Sequence, residues 1–312
     1  MSFQSKANIL LVTGAAMNLR ENILRDGFVV IPNLLSIEEI TKLRHLVADH
    51  TKTDMPNDYA YGAKAQGNAA CVMPELGWLY YHPKVLSAMK DLLQTDNVMF
   101  TSHCDVHSGL LSGWHKDDGS NPRDIYDIEK LYFEEFTYGV DDCRVYKMAI
   151  YLQDHFYNLG GLRVRRNSHR LAGVDQGEEL YLKTKVGDAI VFDVRLTHSG
   201  QIDLIPLPFL DKFISFCLRV MGKIFRTRFF HIALRNFYDR MAGDRMSIFF
   251  TYGFPNDYTV KFARNNMRRQ MREHPELPIY LPELLRQKLV ENQVLLAEDY
   301  FSDLKPVETS KF

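Results

Sequence analysis

The sequence has few cysteines, and their pattern is not that of a secreted protein. Four cysteines occur in 312 residues, they lie far apart, and no CxxC pair is present. A small disulfide-stabilised domain would show a much higher cysteine density. We therefore predict reduced thiols in a cytoplasmic protein. The four residues are Cys71, Cys104, Cys143 and Cys217.

Long apolar runs are also missing. A membrane-spanning helix needs about 18 or more consecutive apolar residues, and no window of this sequence approaches that length. Near the N-terminus, Lys6 precedes a short apolar run from Ile9 to Val12. A secretory signal peptide would have a more basic start and a longer apolar stretch. The sequence therefore predicts neither a membrane span nor export.

The chain has no large excess of either charge. It contains 38 basic and 39 acidic residues, for a formal net charge of -1. Binding to nucleic acid through counterion release requires a basic surface, so we do not expect a nucleic-acid partner. The composition, 46% hydrophobic and 25% charged, is that of a folded globular protein. We predict one domain over residues 1–312.

Short β-rich runs separated by turn residues dominate the middle of the chain. The turns include Gly160-Gly161 and Gly187-Asp188. Such a succession of short strands favours a sandwich or barrel over a parallel βαβ sheet. The predicted strands are Val98–Val106, Tyr146–Leu152, Leu162–Arg165, Ala189–Val194 and Met246–Tyr252.

Helical patterns lie on both sides of this β region. A helix-like run begins near residue 18, and a strand follows within Gly27–Pro32. The next helix starts at Ser36, because Ser36 and Glu39 have the spacing of a capping box. After the β region, helices are predicted over Phe262–Arg272 and from Pro282 to about Tyr300.

A histidine and an acid two residues apart provide the first indication of chemistry. His115 and Asp117 project to the same side of an extended strand, so both can reach one metal ion. His198, at the end of the apolar run Ala189–Val194, is the leading candidate for a third ligand. Two histidines and one carboxylate form the facial set associated with non-heme Fe(II), because adjacent coordination positions stay open.

The HxD pattern alone is weak, because a second copy occurs at His103-Cys104-Asp105. Most single histidines satisfy buried polar groups or cap turns and bind no metal. We favour His115 over His103 because Gly109, Gly113 and Gly119 surround it with turns that place it near a strand end. His103 lies inside a run that reads as ordinary sheet.

Several stretches, taken in order over roughly residues 20 to 255, resemble one known family. They are Asp26–Pro32 with the capped helix after it, Trp114–Asp117, Gly160–Val164 leading to Ser168-His169-Arg170, Val186–Phe192 with His198, and Arg245 opening a strand that runs to Tyr252. Together they resemble the phytanoyl-CoA dioxygenase family of Fe(II)- and 2-oxoglutarate-dependent oxygenases.

The resemblance implies a mainly β fold with flanking helices, whose core is a double-stranded β-helix, or jelly roll, with a helical insertion. It implies iron binding by His115, Asp117 and His198, and binding of the distal carboxylate of 2-oxoglutarate by Arg245, whose guanidinium suits a carboxylate. In the family, 2-oxoglutarate takes two metal positions and O2 the third. An acid at position 117 leaves no position for halide, which favours hydroxylation over halogenation. His169 is not assigned to the metal.

This resemblance also divides the chain. The predicted parts are an N-terminal helical and strand flank over 18–95, a jelly-roll core over 96–201 and 244–255, a basic and apolar helical insertion over 202–243, and C-terminal helices over 256–312. The insertion places Arg245 47 positions after His198, farther than the family pattern. Arg219 and Arg235 are therefore alternative anchors, although each lies in helix-like sequence without a following strand.

Two charged segments and several aromatics bear on the substrate. Residues 209–225 have the pattern of an amphipathic basic helix, which could pack over the barrel, form a lid or make a peripheral membrane contact. The acidic stretch 122–142 could attract a cationic substrate, but most charge runs are solvated helix faces. Trp114, Tyr146, Tyr151 and Phe192 are candidates to line the cavity, although aromatics in a barrel more often belong to the core.

Three functions remain open from the sequence. The leading one is an Fe(II)- and 2-oxoglutarate-dependent dioxygenase that hydroxylates a small-molecule or lipid-like substrate. A His/Asp/His site could instead hold zinc and activate water for hydrolysis. The third is a jelly-roll binding protein without activity. Arg245 favours the oxygenase, because a zinc hydrolase has no need of a guanidinium beside the metal. The sequence does not predict the oligomeric state.

Overall fold

The computed structural model describes residues 8–9, 18–55, 64–109, 112–117, 142–155, 160–200 and 245–301. The predicted insertion over 202–243 and most of the acidic stretch 122–142 therefore lie outside the described residues. The strands are β1 (Asn8–Ile9), β2 (Phe28–Ile31), β3 (Lys64–Gln66), β4 (Met99–Ser108), β5 (Val145–Tyr151), β6 (Arg163–Arg166), β7 (Glu178–Tyr181), β8 (Ala189–Asp193), β9 (His198–Ser199), β10 (Met246–Gly253) and β11 (Leu295–Leu296).

The helices lie mostly before and after the strand-rich region. They are α1 (Leu19–Asp26), α2 (Ile37–Thr53), α3 (Ala69–Val72), α4 (Gly77–Tyr80), α5 (Pro83–Leu93), α6 (Asp257–Glu273) and α7 (Glu283–Glu291), with short 3-10 turns at Pro74–Leu76, Ser168–Arg170 and Ala297–Tyr300. Among the described residues, no helix is long and apolar enough to cross a membrane. Cys71, Cys104 and Cys143 are buried free thiols, as predicted.

Two sheets form the jelly-roll core. The larger has the order β11-β4-β10-β5-β8-β2, with β3 paired to β4, and the smaller has the order β1-β7-β6-β9. The central pairs of the larger sheet are antiparallel, for example Ile248 opposite Ile150 and Met148 opposite Val191. Strands that are distant in sequence thus lie side by side, as in a double-stranded β-helix. This confirms the predicted fold class.

Strand β5 shows how the two faces of the larger sheet differ. Met148 and Ile150 belong to the apolar cluster that packs against the helices. Ala149 and Tyr151 belong to a second cluster, shared with Leu162 of the smaller sheet and its surroundings. Because side chains alternate along a strand, Lys147 lies on the same inner face as Ala149 and Tyr151. The barrel interior is therefore lined by alternate residues of each strand.

Local signals in the sequence account for the first helices. The capping box of α2 is present, with Glu39 N donating to Ser36 Oγ at 3.2 Å and Ser36 N donating to Glu39 Oε2 at 2.7 Å. Helix α1 ends at Gly27, whose φ of 85° is left-handed. A Cβ at Gly27 would also lie 2.5 Å from His169 Nδ1, because the turn packs closely against the core.

The final predicted helix is too long. Helix α7 ends at Glu291, and Gln293 follows with a left-handed φ of 62°. Leu295 and Leu296 then pair with Met99 and Phe100 of β4 in parallel. An apolar run of this length suits either a helix or a short strand, and the free edge of β4 decides in favour of the strand. The short elements β3, α3, α4 and β7, together with α5, were not predicted.

Candidate metal centre

The segment that carries the HxD pattern pairs with the start of β9 and with the residues just before it. His115 N donates to His198 O at 3.0 Å, and His198 N donates to His115 O at 2.9 Å. Two residues further, Asp117 N donates to Val194 O at 2.9 Å. The backbone of 115–117 is thereby held in extended form beside the smaller sheet, with His115 and Asp117 on one side.

Three side chains converge at this pairing. One ligand atom each from His115, Asp117 and His198 lies within 4.8 Å of the other two, and this is the one such group among the described residues. His115 Nε2 is 3.8 Å from Asp117 Oδ1, and His198 Nε2 is 3.5 Å from Asp117 Oδ2. The imidazole centroids are 4.3 Å apart. The structure thus brings the predicted residues to one point.

Backbone carbonyls orient both imidazoles. His115 Nδ1 lies 2.7 Å from Gly113 O, and His198 Nδ1 lies 3.0 Å from Leu196 O. A carbonyl only accepts a hydrogen bond, so Nδ1 carries the proton in each ring and donates it. In a neutral ring Nε2 then keeps its lone pair, and Nε2 of both rings is the nitrogen nearer to Asp117. Metal-binding histidines are commonly oriented in this way.

The electrostatics keep these groups in the protonation states that bind a metal. Burial and the neighbouring His115 lower the pKa of His198 to about 3, so that imidazole is neutral at pH 7. Burial acts to raise the pKa of Asp117, but the positive charge of Lys147 above all, together with the adjacent imidazoles, outweighs burial and holds that pKa well below its usual range. Asp117 is therefore ionised.

Arg245 lies buried at the start of β10, on the same face of the strand as Ser247 and Phe249. Its side chain is held by Gly160 O, which accepts from Nε at 2.7 Å, and its Nη2 is 3.5 Å from the Tyr151 hydroxyl. Gly200, two residues after His198, fits against the guanidinium with no room for a side chain, since a Cβ would lie 2.8 Å from Nη2. The alternative anchors Arg219 and Arg235 lie outside the described residues.

Sequence reasoning missed two polar residues at this site. Lys147 Nζ lies 2.8 Å from Asp117 Oδ2, and the side chain is almost fully buried. Ser247 Oγ is buried and finds no hydrogen-bond partner among the described residues. A lysine at an inward position of an otherwise buried strand, and a serine two positions after Arg245 in an apolar strand, are the signals that could have revealed them.

The second HxD pattern lies elsewhere in the barrel. His103 Nε2 is 2.9 Å from Asp105 Oδ2, and both side chains face inward from β4. They form a pair with each other and do not join the group of His115, Asp117 and His198. His107 follows on the same face with its ring centroid 5.1 Å from that of Phe249, and burial lowers its pKa to about 4.

Of the four candidate aromatics, two face the interior of the barrel and two do not. Phe192 packs on His198 with centroids 4.7 Å apart, and Tyr151 lies beneath Arg245, whose guanidinium is 5.3 Å from the ring. Trp114 instead lies on the outer face of the smaller sheet between the guanidinium groups of Arg163 and Arg165. Tyr146 faces away from the barrel and donates to Asp142 at 2.6 Å. Trp114 and Tyr146 therefore do not line the barrel interior, and Tyr146 belongs to the core, the alternative that the sequence analysis favoured.

The comparison with known families decides the identity. Residues 23–201 match the phytanoyl-CoA dioxygenase family, a stretch longer than half of the chain. The chain belongs to the phytanoyl-CoA dioxygenase family. It is thus an iron- and 2-oxoglutarate-dependent oxygenase, and the resemblance of its motifs is confirmed. The matched stretch of this oxygenase includes His115, Asp117 and His198, whereas Arg245 lies beyond it.

Solved structures share the fold of this oxygenase. The non-heme alpha ketoglutarate dependent epimerase SnoN from nogalamycin biosynthesis is 13% identical with a TM-score of 0.51, over 75% of this chain and 80% of that chain. SnoN in complex with Fe3+, alpha ketoglutarate and nogalamycin RO is 13% identical with a TM-score of 0.50, over 75% of this chain and 82% of that chain. A search of curated proteins finds no match.

Proposed function

We propose that His115, Asp117 and His198 bind one Fe(II), that Arg245 and Ser247 hold the distal carboxylate of 2-oxoglutarate, and that the oxygenase uses O2 to hydroxylate a small-molecule or lipid-like substrate. The convergence of two imidazole nitrogens and one carboxylate on a single point carries this proposal. A set of three protein donors would leave the remaining coordination positions of the metal open for other ligands.

The donor set fits iron in its chemistry as well as its position. Each imidazole can present Nε2 to the metal, because Nδ1 of each donates to a carbonyl, and His198 is neutral at pH 7. Asp117 supplies the single negative charge of the set. Position 117 carries an acid and not alanine or glycine, so no metal position is left vacant for halide. This supports hydroxylation over halogenation.

The anchor for 2-oxoglutarate rests on two groups of β10. Arg245 offers a guanidinium whose position is set by Gly160 O and Tyr151, and Ser247 offers a buried hydroxyl without a partner among the described residues. A buried hydroxyl left unpaired costs free energy, and a carboxylate bound by Arg245 would satisfy it. The same strand thus supplies a charge and a neutral donor to one anion.

The residues divide the work of the reaction. When bound, iron and 2-oxoglutarate together activate O2 for oxidation of a substrate C–H bond. His115, Asp117 and His198 hold the metal, and Arg245 and Ser247 orient the co-substrate. Phe192 and the apolar wall of the barrel exclude water from the site. The SnoN complex, which contains Fe3+, alpha ketoglutarate and a small molecule, supports this choice of ligands.

Metal binding and turnover test the proposal separately. We expect one Mn2+ per chain, measured by calorimetry without oxygen chemistry, and loss of that binding in His115→Ala and His198→Ala. The exposed His45 of α2 gives the matched control, because His45→Ala removes an imidazole far from the inner face of the barrel. With Fe(II) and air, wild type should convert 2-oxoglutarate to succinate slowly even without its substrate.

Arg245 separates the oxygenase from the zinc hydrolase. Arg245→Ala should keep Mn2+ binding and raise the 2-oxoglutarate concentration needed for half-maximal succinate formation by at least about tenfold, because a charge-assisted hydrogen bond is lost. Succinate formation by wild type that does not exceed that of His115→Ala would refute the oxygenase. Binding of Zn2+ by a protein that does not bind 2-oxoglutarate would favour the hydrolase.

A further inference from the structure

Lys147 is the one buried lysine on the inner face of β5. The side chain of Lys147 is 6% exposed, and across the sheet the residue lies between Thr251 of β10 and Phe192 of β8. Burying an ammonium group costs several kcal/mol unless an opposite charge compensates it. Among the described residues, Asp117 is the acid that forms an ion pair with it, at 2.8 Å.

The contact involves one particular oxygen of the carboxylate. Lys147 Nζ reaches Oδ2 of Asp117, which is also the oxygen nearer to His198 Nε2, at 3.5 Å, and Oδ1 is the oxygen nearer to His115 Nε2, at 3.8 Å. An ammonium group at 2.8 Å from Oδ2 competes with a metal ion for that oxygen, because both are cations. Among the described residues, no lysine or arginine forms an ion pair with Oδ1. The two oxygens of the carboxylate are therefore not equivalent.

We propose that Lys147 is a positioning residue that holds Oδ2 of Asp117 and so restricts this carboxylate to one-oxygen coordination of the metal. This inference rests on the proposed metal site. If both oxygens bound the metal, the acid would occupy a position that 2-oxoglutarate or O2 needs. Lys147 thus keeps three positions free at the cost of metal affinity.

The positive charge of Lys147 also acts directly on the affinities for the metal and for 2-oxoglutarate. A cation beside the metal repels it, and the same cation attracts the anionic co-substrate. Removal of the charge should therefore tighten metal binding and weaken 2-oxoglutarate binding. A lysine that merely filled space would leave both affinities unchanged, and one that only supported the shape of the site would weaken both together.

Two calorimetric titrations test this. Mn2+ is titrated into metal-free wild type, Lys147→Met and Lys147→Arg, and 2-oxoglutarate is then titrated into each Mn2+-loaded protein under nitrogen. In Lys147→Met we expect the Mn2+ dissociation constant to fall by roughly tenfold and that of 2-oxoglutarate to rise by roughly tenfold. Lys147→Arg keeps the charge, so its dissociation constants for Mn2+ and 2-oxoglutarate should lie close to those of wild type.

Controls separate the possible failures. Lys52→Met removes the same charge from the exposed surface of α2 and should change neither constant. Lys147→Gln repeats the measurement should the methionine variant not fold. Unchanged or weaker Mn2+ binding, or unchanged 2-oxoglutarate binding, in a folded Lys147 variant overturns this inference alone. Absence of Mn2+ binding in wild type would instead overturn the proposed metal site, and this inference with it.

Discussion

His115 and His198 exchange both of their backbone hydrogen bonds, with N to O distances of 3.0 and 2.9 Å. They form a hydrogen-bonded antiparallel pair although they are far apart in the sequence. Their rings are therefore positioned by the backbone pairing and by the carbonyls of Gly113 and Leu196. The two imidazoles can be in position before any metal binds.

This pairing predicts slow amide exchange at the site in metal-free protein. The amides of His115, Asp117 and His198 donate to backbone carbonyls, so each is protected until the local structure opens. Hydrogen exchange of the chelator-treated protein, read at these amides, should show protection well above that of unbonded surface amides. Exchange as fast as in an exposed loop would mean that the metal, when present, builds the pairing.

Lys116 anchors the HxD segment by hydrogen bonds to two distant backbone carbonyls. Its buried Nζ donates to Ser168 O at 2.7 Å and to Arg195 O at 2.6 Å. In Lys116→Met both carbonyls lose a charged donor, and we expect unfolding to require about 3 kcal/mol less free energy. Urea denaturation measures the change, and Lys52→Met on the surface is the matched control. A loss below about 0.5 kcal/mol would contradict this role.

Gly200 leaves space for Arg245. A Cβ at position 200 would lie 2.8 Å from Arg245 Nη2 and 3.5 Å from Ser112 Oγ, so Gly200→Ala should displace the guanidinium. We expect the KM for 2-oxoglutarate to rise by about tenfold while Mn2+ binding is retained, because only the co-substrate anchor moves. Gly173→Ala, whose Cβ would meet the side-chain ends of Asp175 and Gln176, is the control. Equal KM values in both variants would argue against an anchor at Arg245.

A buried ion pair behind the metal site makes stability depend on pH. Arg195 is fully buried, and its Nη2 donates to Asp193 Oδ2 at 2.7 Å. Burial acts to raise the pKa of Asp193, but Arg195 outweighs it and keeps that pKa below its usual range. A lowered pKa means that the contribution is present above the unfolded value, about 4, and is lost as the pH falls through the folded value.

Asp193→Asn should therefore destabilise the protein by about 3–5 kcal/mol at pH 7, because the charge of Arg195 is left buried without its partner. The difference from wild type should begin to narrow as the pH falls below about 4, and should be lost only as the pH passes the lowered pKa of Asp193, where folded wild type also takes up the proton. Denaturation at pH 7 and at a series of decreasing pH values below about 4 measures this change. The exposed Asp49→Asn serves as control. A constant difference across this range would show that the ion pair contributes little.

Much of the core could be predicted because its strands carry strong local signals. The strand Ala189–Asp193 is apolar as far as Phe192 and follows a glycine turn, and Met246–Gly253 is rich in β-branched and aromatic residues. The capped helix at Ser36 follows from side-chain chemistry within four residues. The helices between Ala69 and Leu93 and the strand Glu178–Tyr181 were missed, since short elements depend on what they pack against and carry little pattern of their own.

The amino-acid sequence by itself determined which residues share a face, because alternation along a strand is a local property: His115 with Asp117, and Arg245 with Ser247. Only the tertiary structure decided which of the two HxD pairs meets a second histidine and that Lys147 reaches Asp117. Those contacts depend on strand order and register between segments distant in the chain. Burial of many side chains together selects that order, and no single stretch of sequence contains it.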